Sequence, residues 1–289
     1  MPHATIGVIG GTGLYDIEGM TDIEEVSLDT PFGKPSDAIV TGVLNGVCIA
    51  FLPRHGKGHR IPPTEIPARA NIYALKSLGV EHIIAINSTG SFKQEIKPGD
   101  LLIPDQLIDR TRQRVSSFFH NTGIVAHIAF ANPFCPVLSG IVAKAAKEVG
   151  AAVHPNGTYV VMEGPAFSTR AESRLYKSWG VDVIGMTALP EAKLAMEAEI
   201  CYTVIACVTD YDSWMDRSEV VDVATIMRIM HQNIDAAKKI IRLAVNRIPQ
   251  VRQCHCAHAL EAAIVTDPKR IPAELKKRLR LLIGKYVKE

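Results

Sequence analysis

The sequence predicts an α/β fold, a single domain in which a twisted mixed β-sheet is flanked by helices. Short apolar runs of strand length alternate along the chain with longer segments of helical periodicity. In the 289 residues, no stretch is long or polar enough to act as a linker between two domains. We therefore expect residues 1–289 to form one domain, with 246–289 as a C-terminal extension that contains a helix.

Composition and charge narrow the class of protein. The chain has 32 Lys and Arg against 30 Asp and Glu, a net charge of +2, so a nucleic-acid-binding surface is not expected. No apolar run reaches the length of a membrane span. The N-terminus lacks the charged-then-apolar order of a signal peptide. We expect a cytoplasmic protein without nucleic-acid or membrane partners.

The first element, residues 5–14, is a short apolar strand that runs into a glycine-rich turn, GGTG. Its three glycines allow close approach of an anion to the backbone, and Thr12 adds a hydroxyl donor. The spacing is not the G-x-G-x-x-G of a dinucleotide site, and residues 15–30 are acidic and irregular. A phosphate or small-anion site and a plain tight turn remain equal alternatives here.

The next block, 37–53, contains two strand-like runs separated by Asn45-Gly46, which predicts a hairpin. Cationic or imidazole side chains follow the second run: Arg54, His55, Lys57, His59 and Arg60. Because Arg matches the geometry of phosphate oxygens, this strand end favours an anion site over a basic surface loop.

Further elements follow from hydrophobic periodicity. Helices are predicted at 67–78, 137–150, 171–180, 187–198, 222–245 and 272–286. Strands are predicted at 82–86, 100–108, 158–161 and 182–186, and at the start of 201–214. The strand at 100–108 contains a proline, so we expect an edge or a bulge there. The basic face of 272–286 is expected to face solvent.

Small polar side chains follow two of these strands, at 87–91 and at 209–212. Ligands of open α/β sheets sit beyond the carboxyl ends of the strands. Together with the glycine turn, these segments predict one composite pocket at one sheet edge. Asp210 and Asp212 would there bind a ligand that carries hydrogen-bond donors; alone, they could equally belong to a solvated loop or a helix N-cap.

The six cysteines are too few for a disulfide-held scaffold. Cys48, Cys201 and Cys207 lie in apolar runs and are expected to be small buried thiols. Cys254 and Cys256 form a C-x-C that could be a redox pair, half of a metal site or two ordinary thiols. Since His255 and His258 are the only further ligands nearby, no zinc site is expected.

Eight motifs in order carry a resemblance to a known family: GVIGGTGLYD, DTPFGKPSD, RHGKGH, QEIKPGD, DQLIDRT, EGPAFSTRAE, MTALPE and TDYDSW. Over residues 5–243 the chain resembles the purine nucleoside phosphorylase family, closest to its 5′-methylthioadenosine branch. The resemblance implies that phosphate attacks C1′ of a purine nucleoside and releases the base and a sugar 1-phosphate, in purine and methionine salvage. It implies no metal or cofactor, and a homotrimer or dimer of trimers.

The resemblance also assigns residues. The phosphate site would consist of Thr12, Arg54, His55, Ser88 and Thr187. Substrate would contact Met186 at the ribose, Phe167 and Ser168 at the base, and His127 and Val223 at the 5′-substituent, with His127 supplied by a neighbouring subunit. The catalytic residues would be Asp210, Asp212 and His55.

The two aspartates favour a 6-aminopurine. A carboxyl group can donate to N7 of the purine, and a carboxylate accepts from the 6-amino group but repels a 6-oxo group. Asn87, reminiscent of the inosine and guanosine branch, leaves a broader purine nucleoside phosphorylase as the alternative. A nucleotide- or NAD-binding protein that uses GVIGGTG is the alternative of another class. Resemblance to thermophilic members with a C-terminal C-x-C, together with the even cysteine count, implies that Cys135 pairs with Cys207. It also implies that Cys254 and Cys256 are oxidised or bonded to another cysteine such as Cys201.

Overall fold

The computed structural model describes residues 3–11, 14, 17–215 and 223–288. Within them, one mixed sheet of 11 strands forms the centre of the molecule. The strands are β1 (Ile6–Gly10), β2 (Met20–Val26), β3 (Ile39–Leu44), β4 (Val47–Pro53), β5 (His82–Ser91), β6 (Leu101–Ile103), β7 (Gln106–Arg110), β8 (Val153–Pro155), β9 (Thr158–Met162), β10 (Val183–Gly185) and β11 (Cys201–Tyr211). The predicted fold class is confirmed.

Strand β5 is the centre of this sheet. The main path runs β2-β3-β4-β1-β5-β10-β9-β7, and a branch leads from β5 through β11 and β6 to β8. β5 is parallel to β1 and β11 and antiparallel to β10. Because β1 is also parallel to β4, four neighbouring strands end at the same edge.

Helices cover both faces of the sheet. They are α1 (Ala68–Ser77), α2 (Pro136–Glu148), α3 (Arg170–Ser178), α4 (Ala188–Glu197), α5 (Val223–Ala244), α6 (Ala273–Arg278) and α7 (Arg280–Ile283). Alternate residues of β5 join different cores, Ile83 in a core with α1 and α4, and Ile84 in a core with α2 and α5. This two-sided burial explains why the central strands are continuous apolar runs.

In the sheet, the predicted hairpin turn was confirmed, whereas the predictions for residues 100–108 and 20–26 were wrong. Asn45 and Gly46 have φ of 52° and 79° and join β3 to β4, as a hairpin turn of this type requires. The single strand predicted at 100–108 is two strands with different partners, since Pro104 has no N–H for a ladder. Residues 20–26, predicted as irregular, form the exposed edge strand β2, which gains its hydrogen bonds from β3.

The C-terminal residues pack back onto the sheet. The single helix predicted at 272–286 is two short ones, α6 and α7, separated by Leu279. Its apolar positions Leu275, Leu279 and Leu282 are buried, as predicted. Glu199 anchors this segment through the backbone N–H of Leu260 at 3.2 Å, Lys285 Nζ at 3.3 Å and the hydroxyl of Tyr286. Among the described residues, no helix has the length and apolar content required to cross a membrane.

The cysteines differ from two expectations. The sulfur of Cys135 lies within 4.8 Å of those of Cys201, Cys254 and Cys256. Cys207 is six positions further along β11 than Cys201, roughly 20 Å away at about 3.3 Å per residue. The expected pairing of Cys135 with Cys207 is therefore wrong, and all six cysteines are free thiols. Cys48, expected to be buried, is exposed beside the hairpin turn.

Candidate active site

The carboxyl ends of β1, β4, β5 and β11 converge at one edge of the sheet. In register, Gly10 of β1 lies beside Pro53 of β4, and Gly90 of β5 lies beside Asp210 of β11. The backbone N–H of Arg54 donates to the carbonyl of Gly10 at 2.9 Å, which joins the glycine turn to the basic loop. The predicted composite pocket therefore rests on strands that are neighbours in space.

Arg54 connects these strand ends from below. Its side chain is buried, and Nε and Nη2 donate to the carboxylate of Glu191 at 2.5 and 3.0 Å. Nη1 donates to the carbonyl of Ile86 at 2.9 Å, and Nη2 donates to Asn87 Oδ1 at 3.1 Å. Four of the five guanidinium N–H groups are thus engaged, and the second N–H on Nη1 is not used by these contacts.

The Glu191 carboxylate keeps this guanidinium charged. Burial lowers the pKa of Arg54, but the neighbouring carboxylate more than offsets it, so the pKa is raised overall. The hydroxyl of Tyr202 also donates to Glu191, at 2.9 Å. A bidentate ion pair with further hydrogen bonds is the arrangement in which buried charges are tolerated. Arg54 and Glu191 form a rigid floor under the pocket.

Asn87 extends this floor to the residue that begins α4. Its Nδ2 donates to Thr187 Oγ1 at 2.9 Å, so Arg54, Asn87 and Thr187 form one hydrogen-bonded chain. Both ends of the Asn87 amide are therefore occupied within the protein. The adjacent Ser88 points to the other side of β5 and is exposed. Ser88 and Thr187 are hydroxyl donors at the two sides of Asn87.

His55 is half-buried and held in one tautomer. Nδ1 lies 2.8 Å from the carbonyl of Ile61, so this nitrogen carries the proton when the ring is neutral. The ring stacks on His59 with centroids 4.1 Å apart. Burial and the charges of Arg54 and His59 lower the pKa of His55 to about 4. The hydrogen bond to the carbonyl of Ile61 raises the pKa but does not offset these effects. At neutral pH His55 therefore presents an unprotonated Nε2.

A β-bulge positions the two aspartates. The register of β11 against β5 shifts between Val208 and Asp210, so that Thr209 is the additional residue. Thr209 Oγ1 donates to Asp210 Oδ1 at 2.7 Å. A Cβ atom on Gly90 would come within 3.3 Å of Asp212 Cβ and 3.4 Å of Asp210 Oδ2. Glycine at this position thus admits both acidic side chains to the same side of the sheet.

Burial and charge give the two carboxyl groups different character. Burial raises the pKa of Asp210, the hydroxyl of Thr209 lowers it, and the charge of Asp212 raises it again, with a net increase. Asp212 is buried, and its two carboxylate oxygens lie 2.9 and 2.8 Å from Ser168 Oγ. Burial thus favours the protonated form of Asp210, while the hydroxyl of Ser168 fixes the orientation of the Asp212 carboxylate.

The segment that carries Ser168 is fixed by a residue that sequence reasoning missed. Arg114, almost fully buried, donates from Nε to Glu163 Oε1 at 3.0 Å and from Nη1 to the carbonyls of Met186 and Leu189. It thereby holds the EGPAFS loop against the MTALPE segment. Position 164 requires glycine here, since a Cβ atom on it would come within 2.5 Å of the sulfur of Met186. Only the basic character of 109–119 could have indicated Arg114.

The remaining expected residues lie apart or outside the described structure. Phe167 is 82% exposed, so it does not wall a closed pocket within this chain. His127 is exposed. Its backbone N–H donates to the carbonyl of Ala263 at 2.9 Å, in a segment that does not pair with the strand carrying Asp210. Thr12 lies outside the described residues, and for Val223 only the backbone, at the start of α5, is described.

Comparisons with known proteins identify the family of this chain. A model of the phosphorylase superfamily matches residues 5–246. The S-methyl-5′-thioadenosine phosphorylase of Geobacter sulfurreducens is 58% identical over 282 residues, which cover 98% of this chain and 99% of that protein. A methylthioadenosine phosphorylase sourced from an antarctic soil metagenomic library is similar in structure, with a TM-score of 0.94, 46% identity, and coverage of 98% and 99%. A double mutant of adenosine/methylthioadenosine phosphorylase from Schistosoma mansoni in complex with adenine has a TM-score of 0.82, 35% identity, and coverage of 91% and 100%.

Proposed function

Because this chain belongs to the phosphorylase superfamily, and because S-methyl-5′-thioadenosine phosphorylases match nearly its whole length, we propose that it cleaves 5′-methylthioadenosine with phosphate. The products are adenine and 5-methylthioribose 1-phosphate. One observation links this activity to the site. Asp210 and Asp212 lie beside Gly90, two residues beyond Ser88 on β5, and Ser168 contacts Asp212. Acceptors for an aminopurine and hydroxyl donors for phosphate therefore share one strand end.

The phosphate end consists of neutral donors above a buried charge. Ser88 and Thr187 offer hydroxyl groups, and the family resemblance adds Thr12, which lies outside the described residues. Arg54 contributes through its charge and its one remaining N–H, since its other donors are engaged. The unprotonated Nε2 of His55 would accept a hydrogen bond from a protonated phosphate oxygen. Placing the nucleophile in this way converts a bimolecular step into an effectively unimolecular one.

The base end must stabilise the leaving group. A phosphate oxygen attacks C1′ as the bond from C1′ to N9 breaks, and the bonding electrons move into the purine ring. Protonated Asp210 donates to N7, which neutralises this charge, and its raised pKa favours that protonated form. The Asp212 carboxylate, held by Ser168, accepts from the 6-amino group. Met186, held through its carbonyl by Arg114, supports the ribose.

Two residues of the expected site point to a neighbouring subunit. His127 and Phe167 are exposed in this chain, although the resemblance assigns both to substrate. We propose a homotrimer, or a dimer of trimers, in which His127 of one subunit reaches the 5′-substituent in the next. Mixing His127→Ala with Asp212→Ala subunits after brief dissociation tests this. If the site is shared, the mixture regains part of the activity that each variant lacks, whereas an unshared site regains none.

The experiment that tests the activity is release of free base from 5′-methylthioadenosine, adenosine and inosine, with and without phosphate. We expect phosphate-dependent release of adenine, fastest from 5′-methylthioadenosine. A preference for inosine by a wide margin would contradict the roles of the two aspartates. Nucleotide binding without base release would instead support the alternative based on GVIGGTG. We also propose the cytoplasm as the compartment, which fractionation would check.

Adenosine is the second candidate substrate, and a specific observation favours it. The solved structure from Schistosoma mansoni is described as an adenosine/methylthioadenosine phosphorylase. Asp212 reads the base, which the two nucleosides share, so it cannot distinguish them. The ratio of kcat/KM for the two nucleosides measures discrimination at the 5′ end alone.

A further inference from the structure

Four cysteine sulfurs form a cluster at the end of the sheet opposite the aspartates. The sulfurs of Cys135, Cys201, Cys254 and Cys256 all lie within 4.8 Å of one another, and those of Cys201 and Cys254 are 3.2 Å apart. Cys135 is the N-cap residue of α2, and Cys201 is the first residue of β11. Three of the four are buried and Cys254 is half-buried.

The separations distinguish a metal from disulfides. A tetrahedral Zn²⁺ with sulfur ligands at about 2.3 Å sets the sulfurs about 3.8 Å apart, within the observed limit for every pair. A disulfide requires a sulfur–sulfur distance of about 2.05 Å, whereas the sulfurs of Cys201 and Cys254 are 3.2 Å apart. Zinc needs that pair to open by only about 0.6 Å. Four mutually close sulfurs also match one central ion better than two separate bonds.

The surroundings suit a bound thiolate set. A cavity of about 210 Å³ is lined by Cys135, Cys201 and Cys254 and offers a path for an ion. The same cavity is lined by Arg252, whose Nη2 pairs with Glu81 Oε1 at 3.3 Å. His82, also in this wall and 5% exposed, has a buried Nδ1 with no hydrogen-bond partner among the described residues. In the tautomer that carries its proton on Nδ1, the His82 ring would offer a donor to metal-bound sulfur.

We propose that Cys135, Cys201, Cys254 and Cys256 bind one structural Zn²⁺ in a closed tetrahedral site. Binding replaces four S–H bonds with four Zn–S bonds and releases four protons to solvent. The ion would fasten the C-terminal segment to α2 and β11. Cys201 lies nine residues from Asp210 along β11, roughly 30 Å at about 3.3 Å per residue, so the ion has no part in the chemistry.

The four cysteines could not be recognised as one metal site from the sequence, because they are far apart along the chain. Cys254 and Cys256 indicated half of a metal site, and their only neighbouring candidates were His255 and His258. The remaining two ligands lie more than 50 positions upstream and reach the C-x-C only through the fold. The expectation that no zinc site exists considered only His255 and His258 as additional ligands, whereas the proposal uses Cys135 and Cys201.

Metal uptake by the whole protein tests the proposal. The protein is purified under reducing conditions, freed of metal with a chelator, and titrated with Co²⁺ and then Zn²⁺. We expect one equivalent of Co²⁺ with the visible absorption of a tetrahedral thiolate site, lost on addition of one equivalent of Zn²⁺. In Cys254→Ser and Cys256→Ser this spectrum is lost. Cys48→Ser, which changes a thiol outside the cluster, retains it.

A second measurement does not depend on variants that must fold. Wild-type protein is alkylated with and without Zn²⁺, and the modified cysteines are mapped by mass. Zn²⁺ should protect Cys254 and leave the alkylation of Cys48 unchanged. No Co²⁺ uptake by reduced wild-type protein, or equal alkylation of Cys254 in both conditions, would overturn the proposal. So would disulfides among the four cysteines that persist after growth in medium supplemented with zinc.

Discussion

The hydroxyl of Ser168 lies 2.9 and 2.8 Å from the two carboxylate oxygens of Asp212, across 44 positions of sequence. It ties the EGPAFS loop to the end of β11 and holds the carboxylate in one orientation. An acceptor held in one orientation can distinguish an amino group from an oxo group at the same place on a purine.

Asp212→Asn should lower kcat/KM for adenosine about 10- to 100-fold. The ratio of kcat/KM for adenosine to that for inosine should fall by a similar factor. The amide loses an acceptor for the 6-amino group and gains a donor suited to a 6-oxo group. The measurement is kcat/KM for both nucleosides at saturating phosphate. Asp29→Asn, at an exposed position, is the matched control. An unchanged ratio in Asp212→Asn would remove Asp212 from base recognition.

Asp210→Asn should lower kcat about 10²- to 10⁴-fold, the range of general acid catalysis. Because the acid form donates, the wild-type kcat should fall as pH rises through the raised pKa of Asp210. Thr209→Val removes a hydrogen bond that lowers this pKa, so the fall should move to higher pH. A pH profile of kcat for the three proteins checks this. If the pH profile of kcat in Thr209→Val is the same as in the wild type, Asp210 is not the titrating group.

Glu191→Gln should lower the free energy of unfolding by about 3–5 kcal/mol, because it leaves the buried charge of Arg54 without its counterion. The exposed pair of Arg247 and Glu148 has similar two-point geometry, with contacts of 2.6 and 2.7 Å. There Glu148→Gln should lower the free energy of unfolding far less, because solvent screens the exposed pair. Urea unfolding at one fixed protein concentration compares the two. Equal losses would show that burial does not decide the contribution of this pair.

Arg114→Lys should lower kcat/KM for nucleosides about 10- to 100-fold, since an ammonium group cannot span Glu163 and the carbonyls of Met186 and Leu189. Arg114 acts as a positioning residue, so the loss should appear mainly in KM. Arg112→Lys is the control, because Arg112 contacts Glu163 through its backbone N–H. If both variants behave alike, Arg114 does not hold the loop.

His55 should make stability depend on pH. Its pKa falls from 6.5 to about 4 on folding, so the unfolded chain binds the proton first as pH decreases. The stability that its neutral form provides is complete above pH 6.5 and is lost as pH falls towards 4. Urea unfolding of wild type and His55→Gln at pH 7.5 and 5 checks this. The difference between the two pH values should be smaller in His55→Gln; an equal difference would contradict it.

Sequence alone determined the alternation of strands and helices, the hairpin at Asn45-Gly46, and the placement of Asp210 and Asp212 at the carboxyl end of a buried strand. These depend on side-chain periodicity and turn conformation, which act over a few residues. The family also followed from sequence, because eight motifs in order are a chain-wide pattern. The one proline that split a predicted strand shows the limit of such local rules, since its effect depended on which strands were its neighbours.

Tertiary structure decided which side chains meet. Arg54 finds Glu191 across 137 positions, Asp212 finds Ser168, and Arg114 joins two loops. The four sulfurs also converge from three separate parts of the chain. Strand order and register set these contacts, and both depend on packing of the whole core. No local pattern contains that information, so the sequence placed the candidate residues at neighbouring strand ends without indicating the contacts that hold them.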